Sequence, residues 1–167
     1  MLIRAAQPSD LAAVAAIYAH EVEQGTATFD TTPPDQSSWE HKASDTTPGH
    51  HLLVAVQDDR VLGFAYSVAY RPRGAYAETK ETSIYLAEGA QGRGVGSTLY
   101  AALLDRLRND DVYTVIAVIA SPNPASAALH RSLGFEQAGV LRRVGYKFGR
   151  RIDTEFWQFF FDGTAAT

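Results

Sequence analysis

A mixed α/β layer fold in a single domain is what this sequence predicts, on three observations. Strand-like and helix-like segments alternate along its 167 residues, no period repeats, and no linker divides the chain. The length suits one domain with a sizeable core. Residues 1–167 are therefore read as one unit, with a flexible tail over 163–167.

The elements follow in order. Leu2 to Ala5 reads as a short first strand. Pro8-Ser9-Asp10 supplies helix-start chemistry, and Leu11, Val14, Ala15, Tyr18 and Val22 then recur at helical spacing. Gly25 to Gly49 is polar around Thr31-Thr32-Pro33-Pro34 and reads as loop with one short helix about Trp39. His51 to Val56 and Val61 to Tyr70, joined at Asp58-Asp59, read as a hairpin. Pro72 and Gly74 break the chain before a strand over Thr79 to Leu86. A helix of about four turns is expected from Val95 to Asn109, with Leu99, Ala102, Leu103 and Leu107 on one face. Val112 to Ala120 is almost continuously apolar, the pattern of a strand covered on both faces. Ser121-Pro122-Asn123-Pro124 starts another helix, which Gly134 ends. From Gly139 to Phe161 the chain reads as two strands around a turn near Gly149.

Composition narrows the function classes. Hydrophobic residues make up 46% and charged ones 20%, an ordinary globular balance. A net charge of −4 argues against nucleic-acid binding. With no cysteine, disulfide scaffolds, thiolate metal sites and cysteine nucleophiles are excluded. His20, His41, His50 and His51 lack metal-ligand spacing, and no metal is expected. No signal-like segment and no run of membrane-spanning length is present, so a cytoplasmic, membrane-free domain is expected.

The stretch "AQGRGVGSTLY" places glycines at 92, 94 and 96 ahead of a helix. A dinucleotide turn fails on spacing, because Ser97 stands where its third glycine belongs, and the strand ending Ala120-Ser121 lacks the acidic residue. A Walker loop fails because Ser97, not lysine, follows Gly96. Gln91-x-x-Gly94-x-Gly96 remains, a turn whose backbone amides and helix N-terminus suit a pyrophosphate. The alternative is a tight strand-to-helix turn with no ligand.

That motif, placed after a strand, resembles the acetyl-coenzyme A signature of the GNAT N-acetyltransferase superfamily. Ile3-Arg4-Ala5-Ala6 with Asp10-Leu11, and Asn123-x-x-Ser126-x-x-Leu129-His130-x-x-x-Gly134-Phe135, are similar to further segments of that superfamily in the same order. Within it the chain resembles the phosphinothricin acetyltransferases at Thr28-Phe29, Thr32-Pro33, Arg73-Gly74-Ala75-Tyr76, Glu81-Thr82-Ser83-Ile84-Tyr85 and Gly145-Tyr146-Lys147-x-Gly149 with Asp153. It departs from that pattern at Ile152, where a histidine is common.

The resemblance implies a mostly antiparallel central sheet with helices on both faces. It implies transfer of acetyl from acetyl-coenzyme A to the primary amine of a small amino-acid-like acceptor, such as phosphinothricin or methionine sulfoximine, and a homodimer. Acetylation of a protein amino terminus, a lysine or a polyamine is the enzymatic alternative; a non-catalytic acyl-coenzyme A sensor is the alternative of another class. The implied cofactor contacts are Gln91, Gly92, Arg93, Gly94, Val95, Gly96 and Ser97 around the pyrophosphate. Ile84, Tyr85 and Leu86 join them on the strand, with Asn123 and Ser126 on the later helix.

Glu81, Ser83 and Tyr85 share one face of their strand, read as a polar face running toward the glycine turn. An ammonium must lose a proton before it attacks a thioester, so Glu81 is the candidate base, against a reading as a solvated strand glutamate. Asn123 is equally a helix N-cap, and Ser126 equally helix filler. His130, where the superfamily usually has tyrosine, is a candidate acid or substrate contact, or else a helix histidine bonded to backbone. Phe29, Arg73 and Tyr76 are candidate acceptor contacts, the arginine for an anionic group. Arg142, Arg143, Lys147, Arg150 and Arg151 read as a solvated hairpin or as neighbours of the cofactor phosphates.

Overall fold

A computed structural model describes residues 1–161; the tail expected over 163–167 lies outside the described residues. In chain order the elements are β1 (Leu2–Ala5), α1 (Leu11–Gln24), α2 (Gln36–Ser44), β2 (His51–Gln57), β3 (Arg60–Ala69), β4 (Thr79–Leu86), α3 (Val95–Asn109), β5 (Thr114–Ser121), α4 (Pro124–Ser132), β6 (Glu136–Lys147) and β7 (Arg150–Phe160). The strands form one sheet in the order β1-β2-β3-β4-β5-β7-β6. Every neighbouring pair is antiparallel except β4 and β5.

Local chemistry sets the boundaries. Pro8–Asp10 form a 3-10 turn ahead of α1, and the Asp10 carboxylate accepts from the Gln7 amide at 2.7 Å and from Arg4. Asp35 caps α2 by accepting from the Ser38 amide at 3.0 Å. Asp58-Asp59 and Phe148-Gly149 close the β2–β3 and β6–β7 hairpins with positive φ at both turn residues. That geometry matches the right-handed twist of the strands.

The period of two splits the sheet into two apolar faces. Leu52, Val54, Phe64 and Tyr85 face α1 and α2, where Val14, Tyr18, Val22 and Trp39 complete a core. Leu53, Ala55, Ala65, Val115, Ala117 and Trp157 face the other way, onto Leu99, Leu103 and Leu107 of α3. Helices therefore cover both faces, as the resemblance implies. Leu103 is fully buried, and Leu103→Ala is expected to lose about 2–5 kcal/mol of stability. Urea unfolding checks this: the midpoint should fall while the slope is unchanged.

β6 starts at Glu136, ahead of the expected Gly139, and β5 differs from the sequence expectation in two details. β5 begins at Thr114 rather than Val112, because Asp111 has φ +56° and the Val112 amide donates back to Leu107 at the end of α3. Nor is β5 covered throughout: Val118 is 36% exposed. At that point the sheet has lost a neighbour.

Candidate active site

The lost neighbour is β4. The parallel ladder runs only from Thr79 opposite Thr114 to Thr82 opposite Ala117. Beyond it, β4 stays paired with β3 as far as Leu86, and β5 stays paired with β7 as far as Ser121. Each strand is held on its outer side while the two part from each other. The Tyr70 amide donates to the Thr79 carbonyl and the Ala87 amide to the Leu62 carbonyl, so odd-numbered residues of β4 turn their backbone groups to β3. Even-numbered ones turn theirs to the β5 side. Ile84 and Leu86 therefore present N–H and C=O groups into the gap, groups that need partners. Tyr85 does not: its backbone faces β3, and its ring packs edge-on against Tyr18.

The gap widens into a cleft of about 670 Å³ on the α3 side. Its walls are Ile84 and Leu86, the turn Gln91, Gly92, Gly94, Gly96 and Ser97, the β5 residues Val118 to Ala120, and Asn123, Ser126, Leu129 and His130 of α4. Gly92 and Gly94 have φ near +70°, and a Cβ on either would meet no heavy atom within 4 Å. The backbone thus lies bare against open space. The first bond within α3 runs from the Thr98 amide to the Gly94 carbonyl. The amides of Val95, Gly96 and Ser97 stand outside the helix ladder. Two expected contacts are not side-chain contacts: Val95 is buried in the core, and the exposed Arg93 side chain does not line the cleft.

At the floor of the cleft, His130 is 3% exposed. Its Nδ1 donates to the Ser126 carbonyl at 2.8 Å, which leaves Nε2 to accept from the Tyr100 hydroxyl at 3.2 Å. Tyr100 in turn sits 2.6 Å from the Thr82 hydroxyl. Burial pulls the His130 pKa below its ordinary value, which favours this neutral tautomer. No ring proton is left for the cleft. Asn123 serves as N-cap, its Oδ1 accepting from the Ser126 amide at 3.0 Å, and it still lines the cleft.

A second hollow, of about 240 Å³, opens on the α1/α2 side of the sheet. Tyr18, Thr28, Phe29, Tyr66, Glu81, Ser83, Tyr85 and Thr154 line it. It shares Ser83, Tyr85, Val118 and Ala120 with the larger cleft, so the two meet where β4 and β5 part. The face bearing Glu81 therefore looks away from α3, not along it toward the glycine turn. Period two sends Thr82, Ile84 and Leu86 to the α3 side instead, where a Cβ on Gly96 would touch Leu86 and Ile84.

Burial raises the Glu81 pKa, and the Arg71 guanidinium 3.9 Å away pulls it back. Arg71 rests on the Tyr70 ring at 4.5 Å. Arg73 and Tyr76 are not brought to this hollow. Pro72 and Gly74 carry them into an exposed 3-10 turn, and Tyr76 packs edge-on against Tyr70. Arg71, which no motif singled out, is the arginine beside Glu81. The Tyr70 amide, bonded to the Thr79 carbonyl, holds Arg71 close to Glu81. Tyr18, Tyr66 and Ser83 were missed as well, and Lys147, read as part of a solvated hairpin, is buried. Among the described residues, no group of three or more His, Cys, Asp or Glu side chains is placed to hold a metal ion. No helix among them is long and apolar enough to cross a membrane.

Comparison with known proteins agrees with this geometry. The family model for the acetyltransferase (GNAT) domain matches residues 3–156. A phosphinothricin N-acetyltransferase of Alcaligenes faecalis is 45% identical over 158 residues, 93% of this chain and 80% of that one. A Pseudomonas aeruginosa acetyltransferase for L-methionine sulfoximine and L-methionine sulfone is 38% identical, over 97% of this chain and 95% of that one. The crystal structure of a GNAT-superfamily phosphinothricin acetyltransferase from Sinorhizobium meliloti, complexed with acetyl-coenzyme A, superposes with a TM-score of 0.91 at 38% identity. It covers 99% of this chain, which covers 91% of it. With its bare glycine turn, unladdered amides and parted strands, the chain belongs to the GNAT family and is an acetyl-coenzyme A-dependent N-acetyltransferase.

Proposed function

We propose that this enzyme acetylates the α-amine of a small amino acid of the phosphinothricin or methionine sulfoximine type, by direct attack within a ternary complex. The observation that carries the reading is the junction of the two hollows at Ser83 and Val118, with Glu81 lining the smaller one. Co-substrate and acceptor then reach each other through the sheet. A hollow of about 240 Å³ walled by Phe29 suits a small acceptor better than a polypeptide.

Bound acetyl-coenzyme A supplies an acetyl group activated as a thioester. Amides of the Gln91–Ser97 turn hold its pyrophosphate, and backbone groups of Ile84 and Leu86 take its arm and the thioester carbonyl. Asn123 and Ser126 border that arm from α4. The Glu81 carboxylate takes a proton from the acceptor ammonium, freeing the nitrogen lone pair. The new N–C bond then forms as the C–S bond breaks, and the surplus proton on the acylated nitrogen passes through water to the departing thiolate. His130 enters as an orienting residue, steadying Tyr100 and Thr82 beneath the cleft. The chain contains no cysteine, so no thiol acyl-enzyme intervenes. Arg71 takes the acceptor's carboxylate, while Arg73 and Tyr76 border the approach.

We further propose a cytoplasmic homodimer. Its support is the β6 edge, where Val140, Leu141, Val144, Tyr146 and Phe148 are all at least 46% exposed. Apolar edges of this kind favour burial against a second chain.

An acceptor screen that follows thiol release from acetyl-coenzyme A tests the reading. The highest kcat/KM is expected among phosphinothricin, methionine sulfoximine and methionine sulfone; a faster polyamine or peptide overturns it. The pH profile offers a second test. Glu81 must be ionised to act, so kcat/KM should fall as pH drops through its raised pKa. Arg71→Met removes the charge that restrains this pKa, and the acid limb should move to higher pH. An unmoved limb separates Arg71 from the base.

A further inference from the structure

Lys147 is a lysine with 5% of its surface exposed. Period two turns it inward with Gly145, while Tyr146 and Phe148 point out at 63% and 56% exposure. Its ammonium reaches across the molecule. It donates to the Thr28 carbonyl at 2.9 Å and the Glu21 carbonyl at 3.2 Å, bonds that span 119 and 126 residues of chain. Its hydrogen bonds go to backbone carbonyls alone, and no carboxylate among the described residues lies within ion-pair distance. Burying a cation without a direct ion pair is unfavourable, and here only the more distant carboxylates of Glu21 and Asp30 and the Phe148 ring at 5.1 Å offset the cost. The same space would take a methionine, so the charge calls for a purpose.

The carbonyls it holds belong to the end of α1 and to the loop beyond it. Three contacts converge on that loop. Lys147 fixes the Thr28 backbone. The Thr28 hydroxyl lies 2.7 Å from the Tyr18 hydroxyl, which donates to Asp30 at 2.8 Å. The Phe29 ring lies against the bare backbone of Gly145, where an added Cβ would clash with it. Tyr18, Thr28 and Phe29 are walls of the hollow that contains Glu81.

We propose that Lys147 is a positioning residue: it latches the Thr28–Asp30 loop to the β6–β7 hairpin and thereby sets the shape, and so the selectivity, of the acceptor hollow. It acts through backbone carbonyls and touches neither substrate. This rests on the reading of that hollow as the acceptor site. Gly145 completes the device from behind by giving the Phe29 ring its seat.

Lys147→Met keeps the volume and removes the donors. Amides of residues 26–34 should exchange about tenfold faster with deuterium, while those of α3 keep their protection. With phosphinothricin as acceptor, KM should rise about tenfold, kcat should stay within about twofold, and acetyl-coenzyme A affinity should hold. Lys147→Arg should recover part of both effects. Gly145→Ala keeps the ammonium but unseats Phe29, and should raise the acceptor KM alone. Unchanged loop exchange in Lys147→Met overturns the latch. Faster exchange with an unchanged acceptor KM overturns its role in selectivity. If Lys147→Met does not fold, Lys147→Gln, which keeps a weaker donor, takes its place: faster exchange over residues 26–34 with a raised acceptor KM supports the latch, and wild-type exchange overturns it. A wild-type enzyme inert toward phosphinothricin, methionine sulfoximine and methionine sulfone removes the acceptor reading, and the exchange result still decides the latch.

Discussion

Glu81→Gln is expected to lower kcat by about 10²–10⁴-fold, the range a positioned general base supplies. Glutamine keeps the shape and removes the proton acceptor. Affinity for acetyl-coenzyme A should hold, because Glu81 lines the hollow on the α1/α2 side and the glycine turn lines the cleft on the α3 side. The lost rate should return in part at high pH, where the acceptor amine sheds its proton unaided. Steady-state kinetics and calorimetry together check this. A large loss of acetyl-coenzyme A binding, or activity within a few-fold of wild type at neutral pH, removes Glu81 from the role of base.

Gly94→Val should combine two penalties. Gly94 has φ +77°, a left-handed conformation that costs an L-residue about 1–2 kcal/mol and a β-branched one more. Its added methyl groups would also occupy the open space in front of the α3 amides, where a Cβ now meets nothing within 4 Å. Acetyl-coenzyme A affinity is expected to drop by at least about tenfold. Gly94→Ala carries much of the conformational cost with less bulk, so it should fall between the two. Calorimetry reads the affinity, and circular dichroism confirms that the helix persists. Full affinity in Gly94→Val would detach this turn from the pyrophosphate.

Local pattern carried most of the fold. The spacing of Leu99, Leu103 and Leu107 announces α3, and the paired aspartates at 58 and 59 announce a hairpin. The glycine turn is legible for the same reason, since its chemistry lies in a few consecutive backbone units. What stayed hidden depends on contacts between distant segments. Nothing in "VYTVIAVIA" tells that pairing with β4 stops at Ala117, and so Val118 reads as covered when it borders a cleft. Arg71 and Arg73 are two residues apart and chemically alike; only the path of the chain after Pro72 separates them. Lys147 looks like one more cation among the arginines of its hairpin, because its partners lie in the first 28 residues. His130 carries the same lesson in tautomeric form: the Ser126 carbonyl and the Tyr100 hydroxyl decide where its proton sits.

The parting of β4 and β5 has a consequence for what evolution can improve here. Zipping the two strands together past Thr82 and Ala117 would satisfy more backbone groups and yield a sturdier protein. It would also fill the slot with the molecule's own chain, making the closed sheet an intramolecular competitor of acetyl-coenzyme A. Selection for rigidity and selection for turnover therefore pull this seam in opposite directions. A hunt for stabilising substitutions in this enzyme is best kept away from Ser83–Leu86 and Val118–Ser121, where greater order would come at the expense of catalysis.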